Sequence, residues 1–294
     1  MGQVAGSALL SAVMAFGLWG ILPVYWKQIT HLGADLSIAQ RVIWTLTTVL
    51  GLLLARGETK RWWHELRQPS VWWTHLWSAL LLGVNWGGFI WGAQHGRILE
   101  CSLGYFLNPL FNVLIGCVVL GESLNRWQAT SIAIAAIGVG VQMLAVGRPP
   151  WIALALAVSF GLYGLVRRRS SQGPLAGLAT ESLIATPFAV AFLSYWHLND
   201  RAVFGDGSWH DCLYLLGLGA VTTIPLLGFA HAARQLPFSL LGLLQFLAPT
   251  GQFLVGAFLY HEPLAPASIV AFVLIWLAVA VFCFNLCFSK RANA

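Results

Sequence analysis

The chain has 294 residues, of which 58% are hydrophobic and 9% charged, with a formal net charge of +6. A soluble domain carries about 25% charged residues because its surface faces water, so this composition excludes an ordinary soluble protein. The positive balance fits basic loops at a membrane face, and no basic-aromatic pattern suggests a nucleic-acid partner.

A spanning helix needs about 20 mostly apolar residues. Ten such runs are predicted, at 5–26, 36–55, 71–94, 98–120, 127–146, 151–167, 174–196, 212–235, 239–260 and 264–288. The first lacks a basic leader and a small-residue cleavage site, so it reads as a span. It carries Trp19. The second holds Arg41 about one turn inside its start. The third has Gly83, Gly87, Gly88, Gly92 and Gly96, a spacing that lets helices approach closely. It also carries Asn85, Trp86, Phe89 and Trp91. The fourth contains Tyr105, Asn108 and Pro109 and closes at Gly121-Glu122.

The sixth run carries Tyr163 and is expected to stop at Arg167-Arg168-Arg169. The seventh holds Glu181 about two turns in. The eighth contains Pro225, His231 and Arg234. The ninth contains Gln245 and Pro249 and closes at His261-Glu262-Pro263. Glu122 and Glu262 stand where a carboxylate caps the helix that follows. Turn and charge signals separate the runs, and nearly all the mass falls within the bilayer.

With the N-terminus in the cytoplasm, Arg56, Lys60, Arg61, Arg67, Arg126, Arg167, Arg168, Arg169, Arg234, Lys290 and Arg291 fall inside. Lys27, Arg97, Arg148 and Arg201 fall outside. The positive-inside rule therefore places both termini in the cytoplasm.

A shift of 140 residues brings Pro109 onto Pro249, Gly116 onto Gly256, Glu122 onto Glu262 and Leu124 onto Leu264. A shift of 144 brings Gly17-Leu18-Trp19-Gly20 onto Gly161-Leu162-Tyr163-Gly164. Five spans per copy is odd, so the second copy is inverted. The expected architecture is all-α: ten transmembrane helices in two inverted repeats, 1–146 and 151–288, with a cytoplasmic tail at 289–294. Inverted repeats build one central site and give alternating access in secondary transporters.

The segments Gln40-Arg41-Val42-Ile43-Trp44, Gly83-Val84-Asn85-Trp86, Ser102-Leu103-Gly104-Tyr105-Phe106-Leu107-Asn108-Pro109-Leu110 and Leu120-Gly121-Glu122 resemble the RarD branch of the EamA, or drug/metabolite transporter, superfamily. Phe160-Gly161-Leu162-Tyr163-Gly164-Leu165-Val166-Arg167, Val221-Thr222-Thr223-Ile224-Pro225-Leu226 and Gln245-Phe246-Leu247-Ala248-Pro249-Thr250 continue the likeness along the whole chain. The second half departs from the usual Gly-Glu with His261-Glu262. The resemblance implies a ten-helix exporter of the bacterial inner membrane. It implies a cavity lined by helices one to four and six to nine, with helices five and ten peripheral.

Charges inside a bilayer are expensive and point to function. Arg41 and Glu181 are register-equivalent under the 140 shift and are candidates for substrate or gate contacts. A guanidinium at Arg41 suits a carboxylate or phosphate. Trp19, Asn85, Trp86, Trp91, Tyr105, Asn108, Tyr163 and Gln245 could form an aromatic cavity with a few amide contacts. Pro109 and Pro249 are candidate hinges. Glu181 and His231 are the candidates for proton coupling.

The five cysteines form no paired framework and no metal-ligand spacing occurs, so no metal or cofactor is expected. No Walker sequence and no G-x-S-x-G or H-E-x-x-H motif is present, which argues against an ATPase or an intramembrane hydrolase. The expected function is a secondary exporter of small amphipathic metabolites or drugs, such as amino-acid-like or chloramphenicol-like compounds. An uncoupled facilitator is the alternative. The expected partners are a small-molecule substrate and the lipid bilayer; the pattern is silent on oligomeric state.

Overall fold

The computed structural model describes residues 2–95, 97–147, 149–205, 207–261 and 266–292. Gly96, Arg148, Asp206, Glu262 and Leu264 lie outside the described residues, and with them the Glu262 half of the carboxylate match. Among the described residues the regular structure is helical, with no strand. The helices are α1 (Gly2–Lys27), α2 (Ala34–Ala55), α3 (Thr59–Glu65), α4 (Pro69–Gln94), α5 (Ile98–Val119) and α6 (Arg126–Val146). They continue as α7 (Trp151–Arg169), α8 (Pro174–Leu198), α9 (Trp209–Gln235), α10 (Phe238–Gln245), α11 (Leu247–Leu254) and α12 (Pro266–Ala292).

Seven helical segments of the described residues are long and apolar enough to cross a membrane, by length and composition. A helix bonds its own backbone groups, which hydrocarbon cannot do. Local sequence sets several ends. Asn125 and Gln128 form a capping box at α6, and Gly147 closes that helix at φ 67°. The Ser208 side chain caps α9 by accepting from the Asp211 amide. Large apolar side chains such as Leu144 and Phe188, 84% and 75% exposed, cover the outside. In water such a surface would aggregate; against lipid it is the ordinary solvent-facing choice.

Four expectations are corrected. The arginine run does not end the sixth segment, because Arg167, Arg168 and Arg169 form the last turn of α7 and the chain leaves the helix at Ser170. Basic side chains suit a helix C-terminus. Glu122 does not cap the helix after it. Its carboxylate accepts from the amides of Phe238 at 2.6 Å and Ser239 at 2.9 Å, at the start of α10. The ninth segment is not one helix: α10 ends at Gln245, α11 begins at Leu247, and a π-turn follows at Val255–Leu259. Pro249 has no N–H to donate to the carbonyl of Gln245, four residues back, which is where a proline weakens a helix. Finally, the glycine stripe of α4 is largely unpartnered. Gly83 and Gly87 face open space, and it is Gly92 that meets a neighbour closely, the Cys101 sulfur.

The helices run alternately between two ends. The base comprises the end of α2, α3, the α5–α6 turn, the α7–α8 turn and the α9–α10 turn. The crown comprises the α1–α2, α4–α5, α6–α7 and α8–α9 connections. α1 packs on α9 and on α11, and α4 and α5 both pack on α7. α2 packs on α8, α5 on α10, and α6 on α12. Gly242 of α10 lies so close to the Pro109 carbonyl that a Cβ there would sit 2.6 Å from it. The α5 and α11 segments both finish on a wide turn: Leu120 N–H donates to Ile115 O at 3.2 Å, and Tyr260 N–H to Val255 O at 3.1 Å.

Candidate functional site

The base is closed by a buried polar cluster. Glu181 of α8 accepts from Arg167 Nη1 of α7 at 3.2 Å, from Ser78 Oγ of α4 at 2.7 Å and from the Tyr163 hydroxyl at 3.3 Å. His75 Nδ1, one turn before Ser78, lies 3.2 Å from the same carboxylate, and its Nε2 lies 3.1 Å from Ser170 Oγ. His75 and Ser78 are fully buried, and Arg167 and Glu181 nearly so. α3 lies across this cluster. Trp62 Nε1 donates to Thr180 Oγ1 at 3.0 Å, and Gln172 donates to Glu65 at 3.1 Å. Arg234 of α9 donates to the carbonyls of Ser170 and Gln172.

The crown is held by a second set of polar contacts, partly exposed and partly buried. Arg201 makes a two-pronged contact with Asp35, at 2.7 and 3.0 Å. His31 Nε2 lies 2.9 Å from Asp211. Gln40 donates to the Val203 carbonyl at 2.9 Å, and Lys27 sits 3.3 Å over the Tyr260 ring. The Arg201, His31 and Gln40 contacts tie the α1–α2 region to the α8–α9 connection and the start of α9, and Lys27 ties the end of α1 to the residue after the π-turn.

Between the two ends lies Arg41, seven residues into α2, or about 10 Å from its crown end at 1.5 Å per residue. Its guanidinium lies 3.6 Å over the Trp86 ring of α4 and 5.7 Å from that of Trp26. Its Nε and Nη2 are buried without a hydrogen-bond partner. Tyr105 of α5 is close enough to interact with it electrostatically. Tyr105, Asn108 and Asn112 share one face of α5 by their spacing of three and four. Asn112 Nδ2 donates to Gln245 Oε1 at 2.6 Å, at the break between α10 and α11. The Oδ1 atoms of Asn108 and Asn112 are buried without a partner. A polar stripe thus descends from Arg41 toward the base.

The other sequence candidates sit elsewhere. Trp19 and Tyr163 pack with Phe16, Phe160 and Phe229 in an aromatic slab, where Tyr163 and Phe229 stack at 6.0 Å. Asn85 is occupied: it donates to the Leu156 carbonyl at 2.9 Å and to Ser159 at 3.2 Å, tying α4 to α7. Trp91, 46% exposed, stacks on His95. His231 faces Gln235 and a cleft of about 400 Å³ at the base, lined also by Arg56, Arg61 and Trp62. Pro109 and Pro249 are both buried, in α5 and α11. Sequence reasoning missed His75, Ser78 and Asn112, and read Arg167 only as part of the charge signal that ends the sixth run. A histidine and a serine one turn apart in an apolar helix were the available signal.

The chain matches the model of the EamA-like transporter family twice, over residues 6–144 and 149–284. It is 37% identical over 290 residues to the uncharacterized transporter YojE of Bacillus subtilis, covering 97% of this chain and 96% of that one. It is 36% identical to protein RarD of Escherichia coli, with 97% of each chain covered. A Pseudomonas aeruginosa protein named chloramphenicol-sensitive protein RarD is 32% identical, covering 94% of this chain and 93% of that one. A solved crystal structure superposes with a TM-score of 0.72 at 22% identity, covering 94% of this chain and 96% of the other, so the two share a fold.

Proposed function

The chain belongs to the EamA-like transporter family, and from that premise we propose that it is a secondary exporter of small amphipathic metabolites or drugs working by alternating access. The observation that carries this reading is Arg41, a guanidinium with buried, unpartnered donors placed between the polar cluster of the base and the paired side chains of the crown. An unsatisfied buried charge calls for a ligand or ion that completes it.

In this reading the chain forms ten spans in two inverted repeats, 1–146 and 151–288, with α10, α11 and the π-turn as one span. Three observations support it. The family model matches each half. The wide turns at Leu120 and Tyr260 are 140 residues apart. The pairing of α1 with α9 mirrors that of α4 with α7, and the pairing of α5 with α7 mirrors that of α11 with α1. α6 and α12 pack chiefly on each other and stand at the side, and the remaining spans enclose the site. The protein lies in a bacterial inner membrane with both termini in the cytoplasm, which makes the base the cytoplasmic end.

A second reading, the uncoupled facilitator, is favoured by the pairing of Glu181. A carboxylate held by Arg167, His75, Ser78 and Tyr163 is not free to shuttle protons. Transport in proteoliposomes with and without a pH gradient decides between them. Accumulation against a gradient supports the exporter; equilibration that ignores the gradient supports the facilitator. Loss of neither on Arg41→Gln would remove Arg41 from both.

A further inference from the structure

We propose that Arg41 binds a single carboxylate, so that the preferred ligands are monoanionic or zwitterionic carboxylates rather than neutral amphipaths. This rests on the exporter reading and concerns the same site.

A guanidinium offers its Nε and one Nη along a single edge, and that edge matches the two oxygens of one carboxylate. In Arg41 the two nitrogens left buried without partners are Nε and Nη2, the pair that forms this edge. The face of the group is already taken by Trp86 at 3.6 Å. Stacking fixes the plane and leaves the edge as the docking surface. Among the described residues at the crown, Asp35 pairs with Arg201, Asp211 with His31 and Glu100 with Arg97 rather than with Arg41.

The two ends differ in how the matched charges are balanced. Arg167 and Glu181, 140 residues beyond Lys27 and Arg41, neutralise each other at the base. At the crown both equivalent positions are cationic, so neither neutralises the other. Lys27 is exposed and lies on Tyr260. One buried cation is balanced by one negative charge, whereas a phosphate dianion would bury an excess charge at high cost. Asn108 Oδ1, on the same face as Tyr105 and one turn further along α5, is a buried free acceptor. It suits a donor on the ligand, such as an ammonium or hydroxyl group.

The test uses purified full-length protein in nanodiscs, read by tryptophan quenching and by thermal shift. The probes are hydrocinnamate and its amide, phenylalanine and its amide, and inorganic phosphate. Each acid should bind about tenfold or more tightly than its amide, because the charge-assisted fork is lost in the amide. Arg41→Gln should erase this ratio. Arg41→Lys, which keeps the charge but not the fork, should retain a small part of it and decides the matter if the glutamine variant does not fold. Equal binding of acid and amide, no binding of either acid at millimolar concentration, tighter binding of phosphate, or a ratio surviving in both variants would overturn the proposal. Acids that bind through Arg41 but are not transported would sink the exporter reading and leave this site standing.

Discussion

Arg167 and Glu181 meet at 3.2 Å where α7 turns into α8, with their side chains 1% and 3% exposed. A charged pair so fully withdrawn from water is held by its geometry and by the hydrogen bonds that complete it. Here Ser78, His75, Tyr163 and the Pro174 carbonyl supply such bonds, while Arg167 Nε is buried without one.

Breaking this pair should be severe. Removing one partner of a buried ion pair costs about 3–5 kcal/mol, because the other charge is left alone. Glu181→Gln and Arg167→Met should each lower the melting temperature sharply, and the double variant should recover part of the loss. A double-mutant cycle on thermal unfolding in detergent checks it. Additive single effects would show that the two side chains do not act as a pair.

The matched prolines should behave differently from one another. Pro249 stands over a real break between α10 and α11, while α5 runs unbroken through Pro109. Pro249→Ala restores the missing amide and should straighten the span and slow transport. Pro109→Ala should slow it less. Initial rates in proteoliposomes, with protein amount controlled, give the comparison; equal rates for both variants and wild type would end the hinge idea.

Alternating access requires the crown ties to part. Cysteines at Asp35 and Arg201, joined by a short bifunctional thiol reagent on a cysteine-free background, should stop transport. Cleavage of a reducible linker should restore it. Unimpaired transport in the linked protein would mean that the α1–α2 and α8–α9 connections do not separate.

Topology is open to direct labelling. Lys60 of α3 and Asn199 at the crown are both exposed. With the base in the cytoplasm, Asn199→Cys should react with an impermeant thiol reagent from outside intact cells, and Lys60→Cys should react only after permeabilisation. The reverse pattern would invert the assignment.

Much of the fold is readable along the chain, because apolar length is a local property. The runs at 5–26, 36–55 and 174–196 coincide closely with α1, α2 and α8. α3 escaped because Thr59–Glu65 is short and polar, and it carries one buried tryptophan. Arg41 was visible as a charge in an apolar helix, and so was Glu181. What separates them was not visible: Glu181 has an internal cation and Arg41 has an aromatic face with its donors free.

The sequence by itself determined that the chain is helical and lipid-facing, since the transfer free energy of a segment depends on its own residues. The placing of its basic residues between apolar runs is likewise a property of order and spacing. Only the tertiary structure decided that His75 and Ser78 meet Glu181 more than 100 residues away, that Glu122 caps α10, and that Asn85 is spent on α7 while Asn108 is not. Those choices are made by which helix faces touch. A buried polar atom's role depends on whether its neighbour supplies a partner, and the neighbours come from distant parts of the chain.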